Sequence, residues 1–214
     1  MRFKTAVVIA GGEGSRMRPL TKYVPKPLVE VGGLPLILHV IYFLRSNGID
    51  NVYVTYGYKG GMVLDCIKNE VEGFINTNGK DNSYFLYNSL IKYIDEPIVV
   101  CPCDMVTNLD LSHVYNEYQS FERPAGCLVP VQTTLDADTI ICESNVITSI
   151  SRDYRAGLYA SGIQILNPSA INQLTKPENN FYQVWANLIE LKQLYVTNTM
   201  PTQWKIYDTL KDLS

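Results

Sequence analysis

The chain of 214 residues is long enough for one sizeable core, and 46% hydrophobic with 18% charged residues is ordinary for a globular domain. A net charge of −3 with no basic block argues against nucleic acid as a partner. No apolar run approaches the roughly 20 residues of a membrane helix and no secretion signal opens the chain, so a cytoplasmic protein with no membrane contact is expected.

In chain order, TAVVIA (residues 5–10) is a short apolar run rich in β-branched residues, the pattern of a strand buried on both faces. A loop holding Gly, Pro, Arg and Lys follows. PLILHVIYFLRSNG (35–48) predicts a helix opened by Pro35 and stopped by Gly48. A strand at 51–57, a helix at 61–71, a helix at 82–94 and a buried strand at 97–101 complete βαβ units and predict a mainly parallel sheet. After about residue 120 come short strands at 125–132, 139–144, 146–151 and 158–166, the pattern of an antiparallel-containing extension. Helical segments at 169–174 and 181–193 and the closing QWKIYDTLKDL follow. One domain over 1–214 is expected, with residues 1–120 as one half and 121–214 as the other.

The five cysteines (Cys66, Cys101, Cys103, Cys127, Cys142) are odd in number and mostly lie inside apolar runs, which suits a reducing compartment. Only His39 and His113 supply imidazole, and no second Cys pair stands at zinc-finger spacing, so Cys101 and Cys103 read as buried strand thiols.

IAGGEGSRMRPLTKYVPKP (9–27) asks which phosphate chemistry the loop serves. The G-x-G-x-x-G template meets Met17 where its third glycine belongs, and the P-loop spacing is absent, with Lys26 following a proline. A bare tight turn accounts for the glycines but not for Arg16, Arg18, Lys22 and Lys26 together. Gly11, Gly12 and Gly14 allow backbone N–H groups to face phosphate oxygens, and Arg16 offers a planar fork for bidentate contact. Pro19, Pro25 and Pro27 keep the segment out of a helix, and Lys26 becomes a fixed point charge between prolines, suited to developing phosphate charge.

AGGEGSRMRPLTKYVPKPLVEVGGLPLI resembles the N-terminal signature of the nucleoside-triphosphate sugar-phosphate nucleotidyltransferases: G-G-x-G-[ST]-R-x-x-P, then P-K-P, then G-x-P-[ILM]. The resemblance implies an α/β domain with a doubly wound, mostly parallel, Rossmann-like mixed sheet of GT-A-like type. It implies Mg²⁺-dependent transfer of NMP to a phosphorylated acceptor with release of pyrophosphate. Arg16 and Lys26 become the catalytic cations, while Ala10, Gly11, Gly12, Gly14 and Ser15 meet the nucleotide.

The family shows Gly-Asp at the strand end where this chain has Cys103-Asp104, so Asp104 takes the place of the metal ligand. For the second ligand, W-x-D-[IV]-G-T read from Trp204 would put Ile206 at the metal. W-x-x-x-D-T-L-x-D, similar to the glucose-1-phosphate cytidylyltransferase branch, puts Asp208 there instead. An N-cap is the alternative reading of Asp208, and Asp212 reads as surface decoration. GYKG (57–60) and the DTLKD tail resemble the same branch and favour CTP, with UTP as rival.

The segment 76–90 is similar to compact cytidylyltransferases acting on phosphocholine and related alcohols. Asn82, Ser83 and Asn88 are its candidate ligand contacts, and Tyr87, Leu90, Ile91 and Ile94 its core face; Asn82 or Ser83 reads equally as a cap. On the acceptor side, Ser161-Gly162 permits close approach, and Arg152 and Arg155 replace the missing Glu-Lys pair as phosphate partners or stand in solvent. Tyr182, Trp185 and Leu188 share a helical spacing that favours core over a substrate cage. The expected partners are an NTP and a sugar phosphate or phosphorylated alcohol or amide, in a monomer or homodimer making a surface-polysaccharide or lipid precursor. The rival is a non-catalytic nucleotide-binding regulatory subunit.

Overall fold

TAVVIA forms the strand β1 (Thr5–Ala10), and its uninterrupted apolar run has a physical cause: its side chains feed two cores, one on each face of the sheet. Ala6, Val8 and Ala10 pack with Ile37, Ile41 and Leu44, whereas Val7 faces the cluster that holds Val184 and Leu188. The computed structural model describes residues 2–133, 137–153 and 157–213.

After β1 come a two-residue pair, β2 (Glu30–Val31) and β3 (Leu34–Pro35), then α1 (Leu36–Ser46), β4 (Asn51–Tyr56), α2 (Gly60–Ile67) and β5 (Gly73–Asn76). The helix α3 (Tyr84–Asn88), β6 (Ile98–Pro102), β7 (Met105–Thr107) and α4 (Leu111–Ser120) complete the first half. The second half contains β8 (Gly126–Val131), β9 (Thr139–Glu143), β10 (Val146–Ser151), β11 (Leu158–Leu166), α5 (Pro168–Leu174), α6 (Phe181–Glu190), β12 (Leu194–Val196) and β13 (Trp204–Ile206).

The main sheet runs β5-β4-β1-β6-β11-β8-β12-β10-β9, and β9 also pairs with β11. The strands β5, β4, β1 and β6 are mutually parallel, with Val8 aligned to Val54 on one side and Cys101 on the other. β11 enters antiparallel beside β6, so one sheet runs through both halves of the chain. The parallel half followed by an antiparallel-containing extension is the architecture expected from the pattern.

Several local expectations change. The helix expected over 82–94 is broken: Ser89 is extended, its hydroxyl donates to the Phe85 carbonyl at 2.7 Å, and its oxygen accepts the Ile91 N–H at 3.2 Å. A 3-10 turn over Leu90–Tyr93 follows, which leaves Leu90 82% exposed instead of in the core face. The helix expected over 61–71 stops at Ile67 and makes room for β5. α4 and the short strands β5, β7, β12 and β13 were outside the expected elements. No helix among the described residues is long and apolar enough to cross a membrane.

Candidate active site

The glycine loop leaves the C-terminal end of β1 beside the ends of β4 and β6. A Cβ on Gly11 would collide with the Thr77 hydroxyl, whereas Gly12 has open space around it. Gly14 takes the left-handed conformation (φ 61°), and a Cβ there would stand 2.7 Å from that of Lys26. The Gly14 carbonyl accepts the Thr21 hydroxyl at 2.9 Å, which closes the loop on itself.

Three single 3-10 turns follow, Ser15–Met17, Leu20–Lys22 and Lys26–Leu28, interrupted by prolines as their fixed φ predicts. GYKG braces them from the side. The Tyr58 hydroxyl donates to the Thr21 carbonyl at 3.1 Å, and the Lys59 ammonium donates to the carbonyls of Lys22 and Tyr23. Met17, fully buried with Val29, Leu36 and Tyr207, anchors the loop from below.

Two carboxylates reach this loop from distant parts of the chain. Asp104 follows β6, and the antiparallel pairing of β7 with β13 carries the C-terminal segment past it, with Ile206 opposite Met105. The Tyr207 N–H donates to the Asp104 carbonyl at 2.8 Å, so the next residue, Asp208, arrives beside Asp104. In this register Ile206 stands opposite Met105, and Asp208 is the carboxylate that the C-terminal segment brings to Asp104.

Asp212 is not surface decoration. Its Oδ2 accepts the N–H groups of Asp208 and Thr209 and the Thr209 hydroxyl, at 3.0, 2.6 and 2.9 Å. That leaves the Asp208 carboxylate free of any capping duty. Burial pushes the Asp212 carboxyl up, but the bonds from Thr209 and Asp208 outweigh it and hold its pKa below the usual value.

The Lys26 ammonium bridges the two carboxylates, donating to Oδ2 of Asp104 and, at 2.8 Å, to Oδ1 of Asp208. Arg16 pairs with the other oxygen of Asp208. Burial alone would lower the Lys26 pKa; the charge of Asp104, its hydrogen bond and those of Asp208 raise it instead. Oδ1 of Asp104 is buried and has no partner among the described residues. An orphaned carboxylate oxygen beside a second carboxylate fits Mg²⁺, which takes one or two protein carboxylates and draws its other ligands from phosphates and water. No group of three or more His, Cys, Asp or Glu side chains that could hold a metal ion occurs among the described residues. Burial, then the nearby Asp104, push the Cys101 and Cys103 thiols far up, so both are inert; Cys101 lies in β6, but Cys103 stands in the turn after it instead of in a strand.

Three hollows of about 340, 330 and 340 Å³ adjoin at Ile9 and Asn82. The first holds Gly12, Gly14, Ser15, Arg16, Lys26 and both carboxylates. The second is lined by Gly11, Gly12, Thr55, Thr77 and Lys80. The third lies on the other side of the carboxylates, among Asp138, Arg152, Gln164, Tyr182, Trp185 and Trp204.

A family model described as nucleotidyl transferase matches residues 5–132. The chain belongs to the nucleotidyl transferase family. Similar relatives are the mannose-1-phosphate guanyltransferases of Debaryomyces hansenii and Saccharomyces cerevisiae, each 27% identical over 210 residues. Those matches cover 88% of this chain and 57% of either relative, so the chain spans little more than half their length. Among solved structures, the inositol-1-phosphate CTP transferase of T. maritima superposes with TM-score 0.74 at 20% identity, over 100% of this chain and 93% of the other. A protein described as a glucose-1-phosphate thymidylyltransferase from Bacillus anthracis gives TM-score 0.79 at 19% identity, over 99% and 92%. These likenesses establish the fold.

The adjoining hollows gather Ala10, Gly11, Gly12, Gly14, Ser15, Arg16, Lys26, Asn82, Asp104 and Asp208. Ser83 is not among them: it is fully buried and its hydroxyl donates to the Glu178 carbonyl at 2.7 Å. Asn88 lies away from the cleft and donates to the Tyr84 carbonyl.

Asn82 accepts the Phe181 N–H at 3.1 Å, tying α6 to the cleft. Ser161 and Gly162 line the third hollow, but the Ser161 hydroxyl is spent on Val129 and Ile163 backbone groups. Gly162 (φ 89°) marks an irregularity in β11 that presses against Pro102. Arg152 is 59% exposed and pairs with Asp138 at 2.8 Å, and Arg155 lies outside the described residues.

Of the expected core trio only Leu188 is fully buried; Tyr182 and Trp185 line the cleft. Thr55, Thr77, Gln164, Asp138 and Trp204 were missed. Gln164 left one signal, an amide inside the apolar LYASGIQIL; it is 4% exposed and its oxygen accepts the Trp185 indole N–H at 3.0 Å.

Proposed function

We propose that the chain is a Mg²⁺-dependent nucleotidyltransferase that moves NMP from an NTP to a phosphorylated small acceptor and releases pyrophosphate. The observation that carries this reading is the cluster of Lys26, Arg16, Asp104 and Asp208 set against the glycine loop, with one buried carboxylate oxygen unclaimed. Backbone N–H groups of Gly12, Gly14 and Ser15 receive the phosphates, and Arg16 and Lys26 neutralise charge that develops at the α-phosphorus. Asp104 and Asp208 hold the metal, which supplies Lewis-acid charge stabilisation when bound.

An acceptor phosphate oxygen attacks the α-phosphorus in line, and the bond to the β-phosphate oxygen breaks. The acceptor needs no general base, because the second pKa of a phosphomonoester is about 6. Positioning by the loop supplies the rest.

The second hollow takes the nucleoside, with Asn82 at its edge, and the third takes the body of the acceptor, a sugar phosphate or a phosphorylated alcohol or amide. GYKG and DTLKD favour CTP over UTP. GTP is the competing base, because the relatives at 27% identity are named for guanylyl transfer. A cytoplasmic monomer or homodimer supplying a surface-polysaccharide or lipid precursor completes the reading.

Pyrophosphate release should be assayed with Mg²⁺ and CTP, UTP, GTP and dTTP against sugar-1-phosphates, phosphocholine and phosphorylated amides. Release with CTP and one acceptor class is expected. Release with GTP alone would overturn the base assignment, and nucleotide binding without turnover would favour the regulatory subunit.

A further inference from the structure

Lys26 bridges the two carboxylates that would share the divalent cation. Its ammonium is 2.8 Å from Oδ1 of Asp208 and in direct ion contact with Oδ2 of Asp104. A Mg²⁺ shared by these carboxylates would lie about 2.0–2.1 Å from an oxygen of each. The ammonium and the metal cannot both fill that space. Arg16 occupies Oδ2 of Asp208, so Oδ1 of Asp104 is the carboxylate oxygen left unclaimed. With two carboxylates facing two cations the cluster is neutral as it stands, and a dication entering alone would add uncompensated positive charge to a largely buried place.

We propose that Lys26 keeps the metal position closed in the free protein, and that the divalent cation enters only with the nucleotide, onto whose phosphates Lys26 and Arg16 transfer. The arrival with nucleotide rests on the function proposed above; the closure itself rests on the ion contacts alone. The local structure suits such a device. The Lys26 backbone is fixed in a turn between Pro25 and Pro27, so the side chain can swing while its Cα stays. Gly14, lacking a Cβ, leaves the lysine stem its space. Arg16 is 71% exposed and free to turn from Asp208 to a phosphate.

The test is Mn²⁺ titrated into the whole chain without nucleotide, with free Mn²⁺ read by electron paramagnetic resonance. Lys26→Met should bind Mn²⁺ at least tenfold more tightly than the wild type, and Asp104→Asn added to Lys26→Met should abolish the gain. Lys26→Gln, with folding checked by circular dichroism, carries the comparison if Lys26→Met fails to fold. Equal affinity of wild type and variant, or no binding by the variant, would overturn the closure. A silent pyrophosphate assay with the Mn²⁺ ratio intact would remove the reaction and leave the closure standing.

Discussion

Asp104 and Lys26 are 78 residues apart in the chain yet form one ion pair, with side chains only 13% and 11% exposed. Neither residue contributes to a hydrophobic core, and at least part of the Asp104 carboxylate is left unsatisfied, an arrangement that function explains better than stability does. Lys26→Ala or Asp104→Ala should lower kcat by at least about a hundredfold, the scale of a lost charge-stabilising group, while the circular dichroism spectrum is retained. Near-normal turnover in either variant would sink the assignment of both. At this scale the motif was legible: the spacing from Gly11 to Lys26 is local, so residue order alone carries it. The partner at Asp208 was legible only as a choice between registers, and the β7–β13 pairing made that choice.

Short elements set the limits of what periodicity reveals. LSHVYNEYQS folds as α4 with Leu111, Val114 and Tyr118 buried, a sparse stripe of three among polar residues, and Asp110 as N-cap. The strands β7, β12 and β13 have three residues each, too few for an alternation to show.

Two predictions belong here. Asp110 accepts the Ser112 hydroxyl and N–H, and these bonds hold its carboxyl below the ordinary 3.8. Asp110→Ala should cost about 1 kcal/mol at neutral pH, as lost N-caps do. A depressed carboxyl stabilises the fold above its unfolded pKa and loses that contribution as pH falls through the folded value. The deficit of Asp110→Ala against wild type in urea melts should therefore shrink below pH 3.8. Asp212→Ala removes three hydrogen bonds that shape the turn behind Asp208. It should reduce kcat at least about tenfold, with a melting temperature within a few degrees of wild type, because a misaimed group costs rate before it costs stability. Unchanged kcat would mean that Asp208 holds its place without the turn.

Across the whole molecule, the sheet supplies a rigid edge and the C-terminal segment completes the site on it. Residues 204–213 lie outside the main sheet: among the described residues β13 pairs only with β7, and Tyr207 and Leu213 cover Met17 and Leu36. A chain ending at Gln203 should keep the far-UV spectrum of the nine-stranded sheet and lose nucleotidyl transfer altogether. Loss of the spectrum as well would show that this segment is needed for folding, not only for the site.

The sequence by itself determined the parallel half of the sheet, the glycine loop and the cations it carries. Those features depend on neighbours within a few residues: continuous apolar runs, φ-restricted prolines, glycines where a Cβ would collide. Tertiary structure alone decided that Asp208 meets Asp104, that Asp212 serves Asp208, that Ser83 turns inward and that Tyr182 and Trp185 face the cleft. Each of those depends on which segments lie side by side, and that is fixed by sheet order and register between stretches as much as 182 residues apart. Local pattern carries no record of such distances.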